Sequence, residues 1–201
     1  MTQVEIANIA LMKLGHTTLI SDLEEDSVEA RSVNAAWGYV RQQMLSYHPW
    51  AFATKSALLA TVGTPSSDAW AYRYRWPTDC LLPVRIEDDL QERLSDDRIQ
   101  WVHAMDDSTG TPVSAIDTDM SPATFVYIFD HTEVSLWPPH FVHAFAYALS
   151  AEISMAITSE PSIQEGMSRM AYIELTKAMS TDLRTSGEIR QIDSEFIKAR
   201  L

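Results

Sequence analysis

His140 and His143 stand three apart at the head of a long apolar run. On a helix that spacing puts two imidazoles on one face, where they could grip a metal ion. No HExxH and no Glu-x-x-His pattern accompanies them, and surface or interface histidines are the plainer reading. Asp117 and Asp119, in Ile116-Asp117-Thr118-Asp119, resemble a fragment of a calcium loop. The glycine and the closing bidentate glutamate of such a loop are missing, so both read as loop residues. Glu24-Glu25-Asp26 could coordinate a cation; a solvated link that sets negative charge at a helix start accounts for it more simply. Cys80 is the single cysteine, so an intrachain disulfide and a multi-thiolate zinc site are excluded. Lying beside Leu81 and Leu82, it reads as a small core residue and not a nucleophile.

Arg73 and Arg75 are interleaved with Trp70, Tyr72, Tyr74 and Trp76. Basic and aromatic side chains alternating along a strand can hold single-stranded nucleic acid. The plainer reading is a strand whose aromatic face is core and whose arginines meet solvent or a neighbouring subunit. The charge favours it: 15 Lys and Arg stand against 28 Asp and Glu, for a formal net charge of -13. A protein that grips phosphate backbones needs a basic face. There is no glycine-rich phosphate loop, no GxSxG elbow and no spacing that singles out a nucleophilic triad. No catalytic, cofactor-binding or metal-ligating set is therefore assigned, and no enzyme activity is expected.

The elements that would carry these residues read as follows. The chain has 201 residues, 46% of them hydrophobic, enough for one domain with a substantial insertion. Val4, Ile6, Ala7, Ile9, Ala10, Leu11 and Leu14 form one helical face. Thr2 with Glu5 has capping-box spacing, and Gly15 can end the helix in a left-handed conformation. A second helix starts near Asp26 or Ser27, with Asp26 and Glu29 again spaced as a capping box. It carries Val28, Val33, Trp37, Val40, Met44 and Leu45 on one face and ends near Tyr47, ahead of Pro49. From about Thr54 strands are expected at 70–76, 81–86, 98–103 and 124–129, with 134–137 pairing back onto the last. Pro138-Pro139 opens a third helix, apolar around most of its circumference, and a fourth runs over 162–183. No basic region followed by an apolar run opens the sequence, so no signal peptide is expected. No stretch of about 18 wholly apolar residues predicts a membrane span. The expected class is α+β: a mainly helical bundle from residues 1–53 and 138–184, an antiparallel β domain inserted at 54–137, and an extended C-terminal tail at 185–201.

Several stretches together resemble the tail tubular protein A family, the head-to-tail adaptors of short-tailed bacteriophages. Ile9-Ala10-Leu11-Met12-Lys13-Leu14-Gly15 is similar to the family's opening A-L-x-x-L-G. Ile20-Ser21-Asp22-Leu23 with Asp26-Ser27 and Glu29-Ala30 resembles I-x-x-L … D-S-x-E-A. Arg41 to Leu45 followed by Pro49-Trp50-Ala51-Phe52-Ala53 resembles R-x-x-x-L … P-W-x-F-A. Trp70-Ala71-Tyr72-Arg73-Tyr74 with Pro77-Thr78-Asp79-Cys80-Leu81 resembles W-x-Y-x-Y-x-x-P-x-D-C-L. The four occur in order over residues 5–82; the second half matches in layout, and residues 193–200 loosely resemble the family's terminal segment.

The resemblance implies a virion protein of the head–tail junction, assembled in the host bacterium's cytoplasm. A dodecameric ring would dock under the portal protein, extend the DNA channel and seat the tail nozzle protein and tail fibres. DNA would pass without specific binding, for which an acidic wall is suited. Ring closure needs a head-to-tail interface, for which Met155, Met167, Met170 and Met179 are candidates, since methionine adapts to irregular surfaces. Phe196, Ile197, Arg200 and Leu201 are the expected portal-docking residues of the tail. Gly15, Pro49, Trp50, Phe52, Trp70, Tyr72, Tyr74, Pro77 and Asp79 read as fold determinants: Trp50 and Phe52 plug the end of the bundle, Pro77 ends the aromatic strand and Asp79 satisfies the turn. The rival readings are another head-completion or tail-terminator component and a nucleic-acid-binding module built on Arg73 and Arg75.

Overall fold

The structure is a computed structural model that describes residues 1–65, 67–87, 99–107 and 110–185. It is an α+β fold of four helices and two small antiparallel sheets. Helix α1 (Gln3–Lys13) starts with the expected capping box. Thr2 Oγ1 accepts from the Glu5 amide at 3.2 Å, and Glu5 Oε2 accepts from the Thr2 nitrogen at 2.8 Å. Gly15 follows the helix at φ 77°, the left-handed conformation foreseen for it. Helix α2 (Val28–Ser46) is capped by Ser27, whose Oγ accepts from the Ala30 amide at 3.1 Å. Asp26, the other candidate cap, pairs with Arg31 instead. Val28, expected on the inner face, is exposed, because the buried stripe of α2 begins two residues later and runs Ala30, Val33, Trp37, Val40, Met44, Leu45.

Pro49 stops α2, and the chain folds under it. Trp50 is fully buried; its Nε1 donates to the Met44 carbonyl at 3.0 Å, and its ring meets the edges of His48 and Phe141. Phe52, half-buried, packs edge-on against Phe141 at 4.8 Å. A 3-10 turn at Ala51–Ala53 then delivers β1 (Thr54–Leu58).

One sheet has the order β1, β6 (Thr124–Phe129), β3 (Cys80–Glu87). The other has the order β2 (Tyr72–Arg75), β5 (Val113–Thr118), β4 (Trp101–Asp106). The central strands are the most buried of each sheet, since both their faces and both their edges are covered. Three expectations need correction. The aromatic strand is shorter than 70–76 and its burial does not alternate: Tyr72 and Arg75 are exposed while Arg73 and Tyr74 are buried. Asp117 is no loop residue but sits on β5, a strand the sequence reading missed. Residues 134–137 do not pair with β6. Val134–Leu136 is a 3-10 turn, because Glu133 accepts from the Ser135 amide and the Trp137 ring turns inward against Trp37 and Phe145. Trp137 Nε1 then finds its acceptor at the His131 carbonyl, 3.1 Å away.

Helix α3 (Pro139–Thr158) begins on Pro139, where a proline lacks only a hydrogen bond that no helix makes there. It packs against α1, α2 and α4 (Pro161–Thr185), which explains its apolar composition. By length and composition α3 could cross a membrane; half of its apolar window is buried inside this protein. Phe141, Phe145 and Leu149 are its largest fully buried side chains, each contributing roughly 1.5–3 kcal/mol by burial. The buried serine hydroxyls on its inner face are satisfied: Ser150 Oγ donates to the Ala10 carbonyl of α1 at 2.9 Å, and Ser154 Oγ to the Ala151 carbonyl at 2.7 Å. Ser159, at φ 56°, turns the chain back into α4.

Candidate assembly surface

Helix α4 is the least buried of the four helices. Over 25 residues only Ala178 and Asp182 are fully buried, while Ile163, Met167, Leu175 and Met179 pack half-buried on the helical core. These positions stand four, eight and four residues apart, one or two helical turns, and make the inner stripe. On the outer side Tyr172, Ile173, Thr176, Ser180 and Leu183 are exposed, Tyr172 by 73% and Leu183 by 62%. None of the five is charged, in a chain whose net charge is -13. An uncharged helix face carrying large apolar groups is the kind of surface that partners cover. Its flanks are pinned by ordinary surface chemistry: Arg169 with Glu165, and Lys177 with Glu174. Bonds from Lys177 hold the Glu174 carboxyl below its usual value.

The four methionines proposed for an interface fall in different places. Met167 and Met179 lean on the helical core, Met170 is half-buried, and Met155 on α3 is exposed. Phe196, Ile197, Arg200 and Leu201 lie outside the described residues. The fold determinants also divide. Tyr74 is buried and its hydroxyl donates to the Met120 carbonyl at 3.0 Å; Tyr72 is exposed and Trp70 half-buried. Pro77 sits just past β2, in the turn whose carbonyl accepts from the Cys80 amide at 3.2 Å. Asp79 does not serve that turn alone. It takes Lys55 Nζ at 2.7 Å and the Tyr127 hydroxyl at 2.9 Å, tying β1 and β6 to the start of β3. Burial pushes the Asp79 carboxyl up, but those two bonds outweigh it and leave it below its ordinary value.

The candidate chemical groups do not converge. His140 Nε2 faces Asp182 at 3.8 Å and His143 Nε2 faces Glu174 at 3.5 Å, so the two imidazoles address different carboxylates of α4. Asp117 is spent on Arg73, and Asp119 accepts from the Ala71 amide at 2.9 Å. Glu25 curls back to the Ser21 amide and hydroxyl, both at 3.0 Å, and these bonds hold it below the usual carboxylate range. Among the described residues no group of three His, Cys, Asp or Glu side chains is arranged to hold a metal ion. A cavity of about 350 Å³ opens where β2 hands over to β3, lined by Arg75, Trp76, Pro77, Thr78, Cys80 and the start of β5. Burial pushes the Cys80 thiol up to about 12, with the Asp79 charge adding to it, so the sulfur is protonated and a poor nucleophile. Among the described residues no histidine or carboxylate lines that cavity to act as a base.

Sequence reading singled out His140 but missed Asp182 and its contacts with His48 and Ala51. The signal was present: Asp182 stands on the apolar stripe of α4, four residues after Ala178, where a lone carboxylate is out of place unless something buried receives it. Comparison with models of protein families and with curated proteins gives no match for this chain.

Proposed function

We propose that the chain is a structural adaptor of a phage virion and not an enzyme. In this reading residues 1–53 and 138–184 make a helical bundle, residues 54–137 an inserted β domain, and residues 185–201 a tail that docks on the portal protein. About twelve copies close a ring beneath the portal through one repeated head-to-tail contact. The ring lengthens the DNA channel and seats the nozzle and fibres. The motifs over residues 5–82 support the family assignment, and the observation that carries the assembly is the uncharged outer face of α4 around Tyr172 and Ile173. The nucleic-acid reading loses half of its patch, because the Arg73 guanidinium is buried against Asp117.

Sedimentation of the chain with and without its cognate portal ring tests this. The expected result is about twelve chains co-migrating with each portal. Tyr172→Glu together with Ile173→Glu should abolish ring closure while leaving the circular dichroism spectrum unchanged, since both side chains point to solvent. A chain that never sediments with the portal overturns the reading.

A further inference from the structure

The carboxylate of Asp182 is buried, 3% exposed, in the last two turns of a helix that buries little else. Three groups from two other parts of the chain surround it. His48 Nε2, just after α2, lies 3.2 Å from Oδ2. The Ala51 amide donates to the same Oδ2, also at 3.2 Å. His140 Nε2, on the first turn of α3, faces the other oxygen, Oδ1, at 3.8 Å. That nitrogen is sealed from solvent and makes no hydrogen bond. One oxygen is thus doubly held, and the other faces a buried group it does not reach.

We propose that Asp182 is a latch that holds the C-terminal end of α4 on the body of the protein, and that this end opens as a unit separate from the rest of the helix. The two halves of α4 are anchored by different physics. Ile163, Met167 and Leu175 hold by apolar contact, which yields gradually as surface separates. Asp182 holds by hydrogen bonds to a buried charge, which are lost together: once one donor leaves, the remaining carboxylate is buried and under-bonded, and water is its better partner. Segments with few buried apolar contacts are the ones that open locally, and beyond Met179 the described part of α4 has no side chain in the apolar core. Opening would free the final turns together with whatever follows residue 185. The latch does not depend on the adaptor reading; it stands on the Asp182 geometry alone.

Hydrogen exchange of the full chain, read by mass spectrometry, tests it. Asp182→Ala should raise exchange of the amides in 178–185 at least tenfold, with 163–171, α1 and β6 unchanged. Trypsin should then cut after Lys177 and Arg184 faster by a similar factor. Asp182→Asn keeps the shape and one acceptor oxygen, and should give a smaller rise in the same peptides even if the alanine variant folds poorly. Arg184→Gln, at an exposed position two residues further on, should leave exchange of the 178–185 amides at the parent level. The proposal is overturned if exchange rises equally across α1, α3 and α4, which would make Asp182 a plain core residue. It is equally overturned if the 178–185 amides of both Asp182 variants exchange as in the parent.

Discussion

Arg41 on α2 grips Asp130, the residue after β6, with two parallel bonds: Nε to Oδ1 at 2.6 Å and Nη2 to Oδ2 at 2.9 Å. Gln42 adds a third at 3.0 Å. The pair joins the helical part to the exit of the central strand across 89 positions of sequence. Bonds from Arg41, ahead of the opposing effect of partial burial, hold the Asp130 carboxyl below its ordinary value. A bidentate guanidinium–carboxylate pair of this kind is directional as well as attractive. Arg41→Lys keeps the charge and loses the fork. It is expected to cost about 1.5–3 kcal/mol in urea unfolding, the range for hydrogen bonds to charged groups. An equal cost for Arg41→Lys and Arg41→Ala would support the fork; full retention in the lysine variant would show that charge alone suffices.

His131 follows one residue later and behaves in the opposite way. Its ring lies between Phe129, at 4.9 Å, and Phe52, at 5.7 Å, and its Nδ1 is buried without a hydrogen bond. Burial pushes the imidazole below its ordinary value of 6.5, more than its own backbone and Glu133 raise it. Between the lowered folded value and 6.5 the unfolded chain binds more protons, so stability rises with pH through that window. Acidification from pH 7 should therefore destabilise the protein, and the loss is complete once pH falls past the folded value. His131→Phe offers a ring of similar size to an aromatic pocket. The difference in thermal midpoint between parent and variant should widen, in the variant's favour, as pH drops from 7 to 5. A difference that stays flat would remove His131 from the acid response.

Local chemistry made some elements readable and hid others. Thr2, Glu5 and Gly15 mark α1 because capping and the left-handed turn depend on neighbours in sequence. The limits of β6 were readable because five apolar residues follow Thr124 without a polar break, as a doubly covered strand requires. Strand β1 was not, since four of its five residues face solvent and the strand it pairs with, β6, lies some seventy positions away, Thr54 opposite Ile128. Strand β5 was hidden by Asp117 and Thr118, whose polarity is balanced by Arg73 on β2 and by the Gln100 carbonyl just before β4. The same holds for the surface. The apolar stripe of α4 could be read from spacing, but which side of it stays open depends on how α3 packs, which no local pattern carries.

Arg73 and Asp117 face each other across β2 and β5 in register, with Nε–Oδ1 and Nη2–Oδ2 both at 2.7 Å and each side chain 4% exposed. The bonds from Asp117, more than the nearby charges of Asp106 and Asp107, hold the guanidinium above its ordinary value despite burial. Taking two charges out of water is costly, and the pair is neutral in stability only while both members are present. Arg73→Leu alone strands a buried carboxylate and should cost about 3–5 kcal/mol in chemical unfolding. Asp117→Leu alone removes both of the Asp117 bonds from a buried guanidinium and should also destabilise the protein. Arg73→Leu combined with Asp117→Leu replaces the pair by apolar groups between β2 and β5, and should recover most of that loss. The coupling in this cycle, not either single loss, measures the pair. If the double variant is as unstable as the sum of the singles, the two residues act independently, and Arg73 must then be held by its other neighbours.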